Sequence, residues 1–289
     1  MTTWKVWRSL RKPPLRHPLY HSIAYNRSKP AIRIHPQFLG GVAFCFACGI
    51  IAMIITGNGL WLLGTIPLAF SLLLFLSVIH GLQATWGIAT LLAEQRTSGR
   101  FDLLATAPPG VFGTAWIMTL GVLHQSDGFH KRNSLHHLRL QIAGTLIVII
   151  AFVGLNSLRN RPEEAFTSFR ESIVLIGVAA LFHIDYVATL ISAVLSGLLS
   201  GMAARQRSEA GMTALAVFMG LQLVIYVPYA LFMSWLLSAV VTRLPVYNLL
   251  SDALWVMVAV GVFYGLREIV NEALWRVLHA RLNEVSIDA

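Results

Sequence analysis

The sequence predicts an all-α, polytopic membrane protein: a six-helix transmembrane bundle with interfacial helices on its cytoplasmic side. Three observations predict it. Hydrophobic residues make up 56% of the chain and charged residues only 12%, with a mean hydropathy of +0.67, whereas soluble domains carry about 25% charged residues. From Ile34 to Ala93 the chain has no Asp, Glu, Lys or Arg. As one helix that run would be about 90 Å long, roughly three times a ~30 Å hydrocarbon core, so it has to cross more than once. The third observation is where the positive charge falls once the apolar runs are set aside.

Residues 1–37 form a basic flank, with Lys5, Arg8, Arg11, Lys12, Arg16, Arg27, Lys29 and Arg33 and no acid. The net charge of +9 and a pI near 10.1 would also suit a nucleic-acid partner. This block, however, sits directly before the first apolar run, where a cytoplasmic flank belongs. Anionic membrane lipid is therefore the expected partner of this charge, at about 1 kcal/mol per basic residue near the surface, and nucleic acid is not. The polar residues ahead of the run, and the lack of an A-x-A site after it, read as a span that serves as its own signal anchor.

The transmembrane region is expected over 38–265, with spans at 38–56, 60–80, 140–156, 172–198, 213–238 and 246–265. Thr56, Gly57, Asn58 and Gly59 supply the turn between the first two. The second span runs on as "GLQATWGIATLLA" to residue 93, about 50 Å of helix, so it has to tilt or project beyond the bilayer. The run 111–125 is apolar but short for a crossing. With the basic stretch after it, segment 111–139 reads as an interfacial or re-entrant element. Cys45 and Cys48, in "FCFACG", lack a second pair or a polar neighbour and read as small packing residues.

With the N-terminus inside, the segments 1–37, 94–139, 202–212 and 266–289 hold 18 Lys/Arg, and the outer segments hold 4. That asymmetry predicts a multi-pass protein of the cell membrane with both termini cytoplasmic. Residues 266–289 read as an amphipathic cytoplasmic tail: apolar side chains at 266, 269, 270, 273, 274, 277, 278, 282 and 285 follow a period near 3.6, and Glu272 pairs with Arg276 at i,i+4. Gly197/Gly201 and Gly261/Gly265 permit close helix contact. Pro228 should kink the fifth span.

No P-loop, H-E-x-x-H, G-x-S-x-G or G-x-G-x-x-G occurs, so no catalytic residue, metal site or cofactor of this chain is expected. His124, His130, His136 and His137 lie in or beside a basic segment and read as loop histidines. Two ionisable residues are harder to dismiss. His183 and Asp185 sit mid-span in "LFHIDYVAT", where a charged Asp costs several kcal/mol unless paired or hydrated. Two residues apart on a helix, they point about 200° apart and need separate partners. They are candidates for a transport path or for buried hydrogen bonding that fixes helix packing, with Thr189 one turn beyond Asp185.

Residues 94–110 form the other singular stretch. Charge clusters at the end of the long second helix, a short apolar segment follows, and Pro108-Pro109 stop it. Phe101, Leu104 and Ala105 share one helical face with Leu103 beside them, which leaves Asp102 outside. Glu94, at a helix C-terminus, calls for a neighbouring basic group, Arg96 or one from elsewhere.

"EQRTSGRFDLLATAPP" resembles the connecting element of ABC-2-type transporter permeases, which runs roughly E-R-x-x-G-T-L-[DE]-L-L-x-x-T-P. Gly99, Phe101, Asp102, Leu103, Leu104 and Pro108 match in class and spacing. "SGMAARQRSEAGMTA" (200–214) is similar to that family's second cytoplasmic connector, and "RHPLYHSI" loosely to its interfacial helix. The departures are Gln95 at a position usually acidic, with Glu94 beside it, Arg100 for the usual Thr, and the inserted 111–139. The resemblance implies an export permease subunit that is not itself an enzyme. It would work as a homodimer or with a related permease, and be driven by ATP bound on a separate ABC ATPase subunit. The coupling residues it implies are Glu94, Gln95, Arg96, Gly99, Phe101, Asp102, Leu103 and Leu104. The alternative from the residues alone is an integral membrane scaffold or accessory protein without a transport path.

Overall fold

The computed structural model describes residues 1–12, 14–25, 61–106, 110–125, 162–243 and 249–287. Among them the regular elements are all helices: α1 (Thr2–Leu10), α2 (Pro18–Ala24), α3 (Trp61–Thr97), α4 (Arg100–Ala105), α5 (Gly110–Gln125), α6 (Pro162–Ala203), α7 (Arg207–Arg243) and α8 (Leu249–Ile287). Within α6, α7 and α8, the stretches Ala180–Ala203, Arg207–Met233 and Ala253–Arg281 are long and apolar enough to cross a membrane. The expected spans at 38–56 and 140–156, with Cys45 and Cys48, lie outside the described residues.

Small residues set how the long helices meet. Gly197 and Gly201 of α6 face α3 so closely that a Cβ on Gly201 would lie 2.9 Å from the Cβ of Leu92 and 3.0 Å from the Ala89 carbonyl oxygen. Thr85 Oγ1 donates to the Ala193 carbonyl at 3.1 Å across the same seam. Numbers rise together on both sides, so α3 and α6 run parallel. Against α7 the order reverses, with Gly81 under the Phe218 ring and Trp86 against Gly211. At the foot of this seam Ala89, Ala93, Ala204, Ala210 and Ala214 pack as an apolar knot, small side chains letting three backbones converge. α8 runs parallel to α6, from Val256 beside Gly177 to Asn271 beside Ser192. The ends of α3, α6 and α8 and the start of α7 thus share one end of the bundle, the connector end.

α3 has 37 residues, about 55 Å, and runs without a break past the expected span at 60–80 to Thr97. Segment 111–125 forms part of one helix, α5, whose start is tied to α4 by Thr114 Oγ1 donating to the Leu104 carbonyl at 3.3 Å. Its far half packs on α2, where Tyr20 meets His124 edge-on at 5.8 Å. Burial, and secondarily Tyr25, push the Tyr20 phenol above its usual range. α8 continues without a break through the expected boundary at 265/266. Trp275, on its tail portion, packs against Phe112 and Trp116 of α5. α7 likewise continues through Pro228.

Candidate functional site

Two constellations stand out, one at the connector end and one within the bundle. At the connector end α3 closes on Gly99, whose φ of 71° supplies the left-handed residue that commonly ends a helix. The turn redirects the chain into the six-residue α4. Phe101 is only 2% exposed and anchors α4 in the apolar core, with Leu104 and Ala105 packed against that core. Leu103, expected beside that face, instead points outward at 75% exposure, and Arg100 and Asp102 are also exposed. Asp102 stands in the first turn of α4, where the helix dipole favours an anion.

The base of this tip is braced by charge. Glu94 meets Arg207 of α7 at 3.4 Å, so the basic group called for beside Glu94 comes from the second connector. Arg96 turns the other way and donates to the Met202 carbonyl in the last turn of α6, a side-chain cap on a helix C-terminus. Gln95 lends its carbonyl to Ser98 Oγ at 3.0 Å. Glu209, in the first turn of α7, accepts from the Arg205 N–H at 3.3 Å, which helps shape the three-residue link between α6 and α7. Pro108 lies outside the described residues. The remaining coupling candidates, Glu94, Gln95, Arg96, Gly99, Phe101, Asp102, Leu103 and Leu104, are brought together around this one turn.

Within the bundle, Asp185 of α6 is ion-paired with Arg267 of α8, at 0% and 1% side-chain exposure. Tyr226 of α7 donates to Asp185 Oδ1 at 2.8 Å and accepts from Arg267 Nη2 at 2.9 Å. Arg267 Nη1 donates to Gln222 Oε1 at 2.8 Å, and the guanidinium lies 4.9 Å from the centre of the Tyr226 ring. Thr189 Oγ1 reaches Asp185 Oδ1 at 3.4 Å. One turn nearer the connector end, Ser192 donates to Asn271 at 2.7 Å, and Asn271 donates to Thr3 of α1 at 3.1 Å. Three helices and the N-terminal helix are therefore joined by one polar seam. His183 takes a separate partner, as expected: its ring stacks on Trp4 of α1 at 6.0 Å and 23°.

Arg267, Gln222, Tyr226 and Asn271 were not among the sequence candidates. A signal existed. Asp185, Thr189, Ser192, Ser196 and Ser200 recur at i, i+4, i+7, i+11 and i+15, all buried, a polar stripe that marks the inward face of α6. Gln222 and Tyr226, and Arg267 and Asn271, are further i,i+4 pairs. Among the described residues no group of three His, Cys, Asp or Glu is placed to share a metal ion. No family model, curated protein or solved structure matches the chain. The class defined at this level is an α-helical protein with three helices long and apolar enough to cross a membrane, a braced tip at one end and a sealed ion pair inside.

Proposed function

We propose that the chain is the membrane permease subunit of an ABC-2-like exporter, working in the cell membrane as a dimer with itself or a related permease. In this reading the connector end and both termini are cytoplasmic, and six spans cross the bilayer. The observation that carries it is α4: a short helix with Arg100, Asp102 and the apolar Leu103 turned outward, held from behind by the buried Phe101. An exposed leucine between two charges on a firmly seated helix suits insertion into a cleft on a partner. A separate ABC ATPase, carrying the ATP, would grip this tip. Its closure would push on α4, and through Gly99 on α3. Because α3 packs closely on α6 and α7, the push would move those three helices together.

The test is co-purification with the ABC ATPase expressed alongside it, followed by Leu103→Glu and Asp102→Lys. Both variants should still fold, because these side chains face outward, and both should lose most of the associated ATPase. Undiminished association in both would overturn the coupling reading.

A second reading, a membrane scaffold or accessory protein with no path of its own, is favoured by the sealing of Asp185 and Arg267. A path residue should meet water at some stage of a cycle. The two readings separate on Asp185→Asn: a scaffold loses stability or assembly, whereas a permease that opens at this pair loses transport at a given amount of assembled complex.

A further inference from the structure

We propose that the groove between α6 and α8 binds an acyl chain of an anionic glycerophospholipid, whose phosphate is held by Lys5 and Arg8 of α1. The groove has a volume of about 470 Å³ and an almost wholly apolar lining, with Gly177 and Ala180 of α6 opposite Gly261 of α8. Small residues keep it open, and a Cβ on Gly261 would meet nothing within 4 Å. Its α6 wall runs from Ile173 to Ile184, about 17 Å, close to one leaflet of a ~30 Å core. The α8 wall lies within Ala253–Arg281, and Ala180 and Ile184 of the α6 wall lie within Ala180–Ala203, stretches long and apolar enough to cross a membrane, so the groove opens where hydrocarbon is the solvent.

What lies at its connector-side end selects the head group. Ile184 and Tyr264 close the lining there. Directly beside them Trp4 of α1 stacks on His183 and approaches the Tyr264 hydroxyl. Tyr and Trp favour the interface between hydrocarbon and water, so α1 marks the head-group level and sets His183 and Asp185 near this border of the bilayer rather than mid-span. α1 buries Thr3, Val6, Trp7 and Leu10 and exposes Lys5 and Arg8, which share a face at i and i+3. The nearby carboxylates are already engaged: Glu268 accepts from the N–H groups of Thr2 and Thr3, and Glu272 pairs with Thr2 and Arg276. The unmatched charge at this level is positive, which suits a lipid phosphate.

The test uses the full chain in phosphatidylcholine nanodiscs doped with phosphatidylglycerol that carries a diazirine in its acyl chain. Photolabel should concentrate in peptides covering 173–184 and 253–264 and be displaced by unlabelled phosphatidylglycerol rather than phosphatidylcholine. Gly261→Leu, which fills the groove without a clash, should remove most of that label. Gly220→Leu, at an open position on α7, should not. Lys5→Gln and Arg8→Gln should each lower the head-group preference by about fivefold. Label spread equally over α7, or indifferent to the head group, would overturn the proposal. So would an unlabelled groove, the result expected if another part of this chain or a second copy fills it. Should Gly261→Leu fail to fold, the competition and the basic-residue variants still decide. The assay needs no ATPase, so its outcome is independent of the coupling reading.

Discussion

Asp185 and Arg267 are each sealed from solvent, so each charge is kept only by its partner and by the Tyr226, Gln222 and Thr189 dipoles around them. Removing one member leaves the other buried and uncompensated, whereas removing both replaces a costly pair with apolar packing. Asp185→Leu or Arg267→Met alone should therefore destabilise the protein by about 3–5 kcal/mol. The double variant should recover most of that loss, as read by thermal unfolding in one detergent. Equal losses in single and double variants would show that the pair contributes nothing as a pair. The need of Asp185 for a partner was legible in the sequence, because an unpaired carboxylate in an apolar span is untenable. The partner was not. Arg267 stands two residues past the expected span that ends at Gly265, where counting basic residues by side assigns it to water. Only the unbroken course of α8 turns it back toward Asp185.

At the scale of the element, α4 separates anchorage from display. Phe101 is the anchor and Leu103 the display, and their substitutions should diverge. Phe101→Ala should cost about 3–5 kcal/mol through the cavity it leaves, while Leu103→Ala should change stability by less than about 0.5 kcal/mol. In ATPase association the order should reverse once each value is corrected for the folded fraction. Gly99→Ala should cost about 1–2 kcal/mol, because a side chain at φ 71° carries the left-handed penalty. It should also loosen α4 against α3, which hydrogen exchange at 100–105 would report. The turn and the short helix were legible from the charge cluster, Gly99 and the spacing of Phe101, Leu104 and Ala105. The outward setting of Leu103 was not, since four consecutive residues of a short helix show too little periodicity to divide inside from outside.

For the whole molecule, the decisive seam is α3 against α6 and α7. Gly201→Leu would force those backbones apart at the point where the alanine knot brings three helices together. Overpacking of this kind costs about 1–3 kcal/mol. If the three helices move as a block, Gly201→Leu should reduce ATP-dependent transport far more than ATPase binding. An equal loss of both would indicate simple unfolding. All-helical character and the great length of α3 followed from composition and from the length of the apolar run. The parallel course of α3, α6 and α8 did not, because hydropathy orders spans along the chain but says nothing of which pack side by side. That pairing rests on Gly197 and Gly201, residues too ordinary in apolar helices to announce a partner.

Three long helices terminate at one face, and their backbone dipoles add there rather than cancel. Each C-terminus presents carbonyl oxygens worth about half a negative charge, while among the four long helices described only α7 offers amide hydrogens in return. Arg96, spanning from α3 to the last turn of α6, and Arg207, beside Glu94, temper that field only locally. Any protein that presses against this end meets carbonyl acceptors set among the exposed Arg100, Arg205 and Arg207, so charge of both signs faces it, and its grip should weaken as ionic strength rises.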